Sequence, residues 1–401
     1  MLSVTFLHLD LGIGGAERLI VDAAVALQKK DCTVHIVTTH HDRSHCFSET
    51  RDGSIPVTVA GDWLPRGIFG KFYALCSYIR LIYAALYIIF FSGIKTDVIV
   101  CDQLPISVPI LRFKINKIVY YCHFPDLLLS KPGSFWKRCY RLILDYIEEK
   151  TTNMADLILV NSEFTKDTFK KTFKSIDRVP EVLYPSINEK RLTEVYEQCD
   201  TELNDLKLQN FTYFLSVNRF ERKKNIRLAI DAFSRLQVEF GPEEKASVKL
   251  IIIGGYDVLV EENISYFVEL KRRVEDLNLC DSVILLKSPS EKEKIKLIKC
   301  CKAVLYTPDH EHFGIVPLEA MFCRKPVIAV NSGGPKETIQ HGVTGFLCSP
   351  TSLSFSAAMF ELTSNQEMCD KMGQAARERF ETNFTFDIFA EKLSKCIKQQ
   401  L

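Results

Sequence analysis

The sequence carries almost no net charge: Lys plus Arg number 51 against 50 Asp plus Glu, a formal +1 over 401 residues. So even a balance supplies no basic field, and nucleic acid is excluded as a partner on electrostatic grounds. Its 14 cysteines contain no Cys-x-x-C pair, and they are scattered along a long chain. That usage fits buried, reduced thiols in a cytosolic compartment and not a secreted disulfide framework. The opening Met1-Leu2-Ser3-Val4-Thr5-Phe6-Leu7 lacks a basic region and a cleavage site, so it reads as a strand and not as a signal peptide. The triplets at Asn210, Asn263 and Asn383 fit the glycosylation pattern, but in the cytosol they stay bare. A dinucleotide fingerprint is missing too. After Gly12-Ile13-Gly14-Gly15 it would need glycine where Glu17 stands, and an acidic residue where the second strand closes in Thr38-Thr39-His40. A nicotinamide cofactor is therefore rejected.

What is present belongs to a globular chain, 47% hydrophobic and 25% charged. Its length exceeds one ordinary core, which predicts two domains. Val4 to Leu9 reads as a buried strand, Ala16 to Lys29 as an apolar-faced helix and Thr33 to Thr38 as the next strand. That β-α-β start predicts a parallel sheet with flanking helices. Val98 to Cys101, Lys117 to Cys122 and Leu157 to Asn161 continue it, with Ser162 capping a helix from Glu163. Glu189 to Gln209 is polar and reads as a linker. The alternation then restarts at Tyr213 to Val217 and recurs at Lys249 to Ile253, Val283 to Leu286, Ala303 to Tyr306 and Val327 to Ala329. The expected architecture is α/β: two facing Rossmann-like domains, 1–200 and 206–380, with a C-terminal helix (386–401) crossing back to the first.

One run is long and apolar, Phe72 to Phe91, with Arg80 inside it. A buried helix, a helix in a membrane interface and a true span all compete. A helix packed on the sheet with an exposed apolar face is preferred. Aromatics at Phe72, Tyr73, Tyr78, Tyr83, Tyr87, Phe90 and Phe91 favour contact with a membrane surface.

The chemistry concentrates in the second half. Glu311 and Glu319 lie eight residues apart, with Gly314 and a helix start between them. Glu311 is expected in a loop at a strand's carboxyl end and Glu319 in the helix that follows, about 12 Å on. Amides near Gly314 would suit phosphate at the helix's positive end. Arg219 and Lys224 lie on the loop after the first strand of this half, and Gly333-Gly334-Pro335 follows another strand. A guanidinium, an ammonium and open helix ends suit a diphosphate leaving group, whose charge grows as it departs. Arg222 and Lys223 read as surface charges. In the first half, Gly14-Gly15 forms a turn suited to phosphate or to close packing. His123 stands in a polar loop at a strand's carboxyl end, where such sheets bind ligands.

Arg219…Lys224, Glu311-x7-Glu319, Gly333-Gly334-Pro335, and Gly14-Gly15 with His123 resemble the retaining glycosyltransferases of GT-B architecture, family 4. The order of motifs covers nearly the whole chain. Within that family, the strings Tyr121 to Leu129, Asn218 to Asn225 and Glu311 to Met321 are similar to those of the dolichol-pathway mannosyltransferases. The resemblance implies GDP-mannose as donor and a dolichol-diphosphate-linked mannosyl-chitobiose as acceptor. It also implies retention of configuration, the cytosolic face of the endoplasmic reticulum membrane, and neighbouring enzymes of the same pathway. It assigns Glu311 to the donor sugar, Glu319 to the ribose, and Arg219 and Lys224 to the diphosphate. Gly14-Gly15 approaches that diphosphate, and His123 lies near the transferred sugar. Asn218 replaces the glycine that most members carry before the arginine. No carboxylate of the first half stands out as a nucleophile, and no Asp-x-Asp motif lies near the site, so no cofactor and no catalytic metal are expected. Two other readings stay open: a sugar-nucleotide transferase with another donor or a soluble acceptor, and a non-catalytic binding protein.

Overall fold

The computed structural model describes residues 1–68, 72–129, 135–198 and 211–399. The expected domain limits at 200 and 206, and Asn210, lie outside them. Two compact units are present, Met1–Ser186 with Phe386–Leu401, and Ile187–Thr385.

The first unit is built on a parallel sheet. Its strands are β1 (Leu2–Asp10), β2 (Cys32–His40), β3 (Val57–Val59), β4 (Val98–Asp102), β5 (Lys117–Cys122), β6 (Leu157–Val160) and β7 (Glu181–Val182). Their spatial order is β3-β2-β1-β4-β5-β6-β7. β1 pairs with β2 from Leu2 opposite Cys32, and with β4 from Val4 opposite Val98. The order reverses between β1 and β4, and in open parallel sheets ligands bind outside the carboxyl ends at such a reversal. Asp10, Asp102 and His123 stand at those ends.

Helices cover both faces of this sheet. Gly15–Gln28 buries Leu19, Ile20, Ala23 and Ala24. The last helix, Phe386–Lys398, lies against it and sets Phe389, Ala390, Leu393 and Ile397 into the same core. Lys30 reaches Glu391 at 2.5 Å, and Lys29 sits over the Phe386 ring at 4.4 Å. On the opposite face the apolar run forms the helix Tyr73–Phe90, whose Leu81, Ala84, Ala85 and Ile88 pack with Leu7, Val37 and Ile99. By length and composition this helix is able to cross a membrane, yet its inner side is core. Arg80 is buried and its guanidinium holds the Asp10 carboxylate at 2.5 Å. Tyr78, read as a membrane-facing aromatic, turns inward instead because its position falls on the packed side. The outer side exposes Tyr73, Leu75, Ile79, Tyr83, Leu86, Phe90 and Phe91.

The second unit repeats the plan with β8 (Thr212–Val217), β9 (Val248–Gly254), β10 (Val283–Lys287), β11 (Ala303–Tyr306), β12 (Val327–Val330) and β13 (Gly345–Cys348). Their order is β10-β9-β8-β11-β12-β13, so the reversal falls between β8 and β11. The helix Ile226–Glu239 fills one face with Leu228, Ile230 and Phe233. The stretch read as a linker does not begin as one. Glu189–Gln198 is a helix in contact with Glu291–Cys300, and Arg191 pairs with Glu291 at 2.6 Å. Its one buried leucine, Leu192, was hidden among charges that face water.

Candidate active site

In the second unit the loops leaving β8 and β11 carry the polar groups. After β8 the chain makes a tight turn at Arg222–Lys224, and Asn225, in the left-handed region at φ 47°, redirects it into the helix Ile226–Glu239. After β11, Thr307 donates from its hydroxyl to the Lys224 carbonyl at 2.7 Å and ties the two loops together. Lys224 Nζ then lies 2.5 Å from a Glu311 carboxylate oxygen. The glycines after β12 fix Glu311 from the other side. Gly334 N–H donates to the Glu311 carbonyl at 2.8 Å, and a Cβ on Gly333 would lie 2.3 Å from that same oxygen. Only glycine allows so close an approach of two backbones.

Gly314 precedes the helix Ile315–Phe322 at φ 91°, with no side chain capping its free amides. Glu319 sits in that helix, nearly buried, and its carboxylate meets Lys294 Nζ at 2.6 Å. Burial alone would lower the Lys294 pKa, but Glu319 beside it raises it overall, so the ammonium is retained. Arg219 stands apart. It is exposed, pairs with Glu221 at 3.1 Å and has its side-chain stem against Gly255. Lys223 shares Glu221, and Arg222 pairs with Glu269, so both are surface charges. The structure thus joins Lys224 directly to Glu311 and leaves Arg219 and Glu319 on separate partners. Lys294 was not foreseen: its signal is a lysine on a helix whose apolar residues face the core, readable only once Glu319 is placed.

In the first unit Gly14 and Gly15 open the helix Gly15–Gln28; Gly14 has extended backbone, and a Cβ there would meet the flexible Glu17 carboxylate. His123, directly after β5, does not stand alone. Its Nε2 donates to an oxygen of Asp102, the last residue of β4, at 3.0 Å. Asp102 also receives His8 Nδ1 at 2.8 and 2.9 Å, and both His8 and Asp102 are buried. Burial favours the neutral acid, yet His8 and His123 hold the Asp102 carboxyl below its ordinary value. Burial likewise works against charge on His8, and the Asp102 carboxylate, with help from Glu17 and the Asp10 carbonyl, raises its pKa overall. His8 and Asp102 escaped the sequence reading. Each is a polar residue late in an otherwise apolar strand, at the edge where ligands bind, and that placement is the signal.

The loop after His123 is pinned from two sides. Asn161 donates to the His123 carbonyl at 3.0 Å, and the buried Glu148 carboxyl accepts from the amides of Asp126 and Leu127 at 2.7 and 3.1 Å. Burial pushes Glu148 up to about 7.

Two family models match the chain: "Glycosyltransferase Family 4" over residues 13–191 and "Glycosyl transferases group 1" over residues 190–379. Among similar curated proteins, the alpha-1,3/1,6-mannosyltransferase ALG2 of Homo sapiens is 48% identical over 405 residues, covering 100% of this chain and 96% of that protein. The ALG2 of Dictyostelium discoideum is 43% identical over 412 residues, covering 99% and 98%. The fold is shared with the sucrose-phosphate synthase of Thermosynechococcus elongatus at 18% identity and TM-score 0.77, covering 100% of this chain and 99% of that one. It is also shared with Anabaena HepE in complex with UDP and glucose, at 20% identity and TM-score 0.73, covering 98% and 99%.

Proposed function

The chain belongs to the family 4 glycosyltransferases and is an enzyme of the alpha-1,3/1,6-mannosyltransferase type, and on that premise we propose that its donor is GDP-mannose and its acceptor a dolichol-diphosphate-linked Man-GlcNAc2. The product is then a branched precursor of N-glycans, made with retention of configuration at the cytosolic face of the endoplasmic reticulum. The observation that carries the donor half of this reading is the Lys224–Glu311 contact at the reversal of the second sheet. A lysine and an acid held together there suit adjoining parts of one ligand: the ammonium a phosphate, the carboxylate a hydroxyl of the sugar next to it. Glu319, paired with the Lys294 ammonium, suits the two hydroxyls of a ribose, and the uncapped amides after Gly314 suit phosphate. Arg219, exposed and paired with Glu221, is able to swing onto the diphosphate. Gly14, Gly15 and His123 are, in this reading, residues of the first unit that contact the donor.

The lipid half rests on the outer side of Tyr73–Phe90. Its exposed Tyr73, Tyr83, Leu86, Phe90 and Phe91 are joined by Trp63, whose ring meets Tyr83 edge-on at 5.5 Å. Aromatic and aliphatic residues on one helix side suit a membrane interface, where a dolichol-linked acceptor resides. A soluble acceptor would give that surface no work. The test is turnover of GDP-mannose by the purified chain with a lipid-linked Man-GlcNAc2 acceptor, set against other sugar nucleotides and a soluble acceptor. Mannose transfer confined to the lipid acceptor is expected. Preference for another donor or for the soluble acceptor would refute the assignment.

A further inference from the structure

We propose that Asp10 binds a sugar hydroxyl of the lipid-linked acceptor, and that Arg80, reaching it from the inner side of the apolar helix, is the positioning residue that aims its carboxylate.

Arg80 is only 2% exposed, in a helix whose other inward residues include Leu81, Ala84 and Ala85. Its guanidinium grips both Asp10 oxygens, with Nη2 donating to one at 2.5 Å and Nη1 to the other at 3.2 Å. Nε of the same group is buried and has no hydrogen-bond partner among the described residues. Burying a guanidinium in this way works against stability, and an apolar side chain of similar volume would fill the core at least as well. Nor does Asp10 need an ion pair for its own sake. Its side chain is 40% exposed, so water is able to solvate it. What the contact supplies is direction: a two-pronged fork holds a carboxylate in one orientation, which an exposed acid on its own does not keep.

Asp10 closes β1, at the reversal of the first sheet. Its carbonyl accepts from the Gly12 N–H at 3.2 Å, so the backbone is pinned as well. Each carboxylate oxygen has two acceptor sites, and Arg80 occupies one on each. The Thr39 hydroxyl lies 3.3 Å from one oxygen, but it donates at 2.6 Å to the Leu9 carbonyl. The remaining capacity is open to ligand. A group that only accepts suits hydroxyls and repels phosphate, so a neutral sugar fits it and a diphosphate does not. The helix selects which sugar. Arg80 belongs to Tyr73–Phe90, whose outer side exposes Tyr73, Tyr83 and Phe90, the surface assigned to the membrane. A sugar tethered to a lipid in that membrane arrives beside the same helix.

For the identity of the acceptor the proposal rests on the mannosyl-transfer reading, and its test separates the two. Kinetics of the full chain compare wild type with Asp10→Asn and with the double variant Asp10→Asn, Arg80→Met. Lipid-linked Man-GlcNAc2 is varied at saturating GDP-mannose, and then the reverse. Asparagine keeps the size and one acceptor oxygen, which Arg80 claims. The acceptor KM is expected to rise about tenfold or more in both variants, the loss of one hydrogen bond to a charged group, while the donor KM changes less than about threefold. The double variant removes a buried charge together with its partner, so its Tm is expected at or above that of the wild type. An unchanged acceptor KM, or a donor KM that rises as much, overturns the proposal. A lower Tm with the acceptor KM unmoved marks the pair as structural and overturns it too. If the double variant fails to fold, Asp10→Asn decides, since that side chain reaches solvent. If the wild type transfers no mannose, the mannosyl-transfer reading fails, and binding of the same detergent-solubilised acceptor without donor decides instead. A Kd weakened about tenfold in Asp10→Asn supports the role of Asp10; an equal Kd, or no binding by the wild type, overturns it.

Discussion

The two units place their polar groups at the same feature, the reversal in a parallel sheet, and equip it differently. In the second unit the groups are lysine–glutamate pairs on loops and a helix, with Lys224 13% and Glu311 23% exposed. Such pairs sit where water reaches, and an incoming anion can take over the ammonium. In the first unit the groups are on strands. His8 and Asp102 are sealed, while His123 and Asp10 reach solvent. The second unit is arranged to answer charge, while the first keeps its His8–Asp102 pair out of water, so salt should act mainly through the second.

The largest effects should come from the charge-answering unit. Glu311→Ala and Lys224→Ala are each expected to lower mannose transfer by roughly 10²–10³-fold, with circular dichroism and Tm near wild type. Unchanged turnover in both would end the donor assignment, and loss through unfolding would show in Tm. In the first unit Glu148 makes stability depend on pH. Its folded pKa, about 7, lies above the ordinary 4.5, so between those values the native state binds more protons and stability falls as pH rises. The loss is on the order of 3 kcal/mol from pH 4.5 to 7, at about 1.4 kcal/mol per unit. Urea titrations at pH 5 and 8 should show that slope in the wild type and a flatter one in Glu148→Gln; equal slopes would move the effect elsewhere. A smaller change is expected from Lys294→Met, which leaves Glu319 without its cation: donor KM rises about tenfold, or about 1.4 kcal/mol, while kcat holds. Smallest in stability is the Phe90→Ser, Phe91→Ser double variant. Both rings are exposed, 68% and 78%, so unfolding free energy should stay within about 0.5 kcal/mol. Liposome flotation should nonetheless fall, and undiminished flotation would detach membrane contact from this surface.

Periodicity made the central strands legible, because Lys117–Cys122 and Ala303–Tyr306 are continuous apolar runs with polar loops beyond them. The strands it missed are at sheet edges. β7 has two residues and β3 three, too short for any pattern to show, and β13 begins with a glycine. The Lys224–Glu311 pair was legible as two motifs but not as a contact, since 87 residues separate them. His8 and Asp102 are 94 residues apart, and each alone reads as an oddity within a strand. Arg80 was visible as an intruder in an apolar helix; what it answers, Asp10, depends on which side of the helix meets the sheet.

The final helix, Phe386–Lys398, completes a core begun at Val4. A ribosome therefore finishes the later unit before the earlier one has its last wall. Until some 380 residues have emerged, Leu19, Ala23 and their neighbours lack their cover, and the nascent amino-terminal half waits as an unclosed intermediate. Clipping those few terminal turns should harm the distant beginning of the polypeptide more than the segment they directly follow.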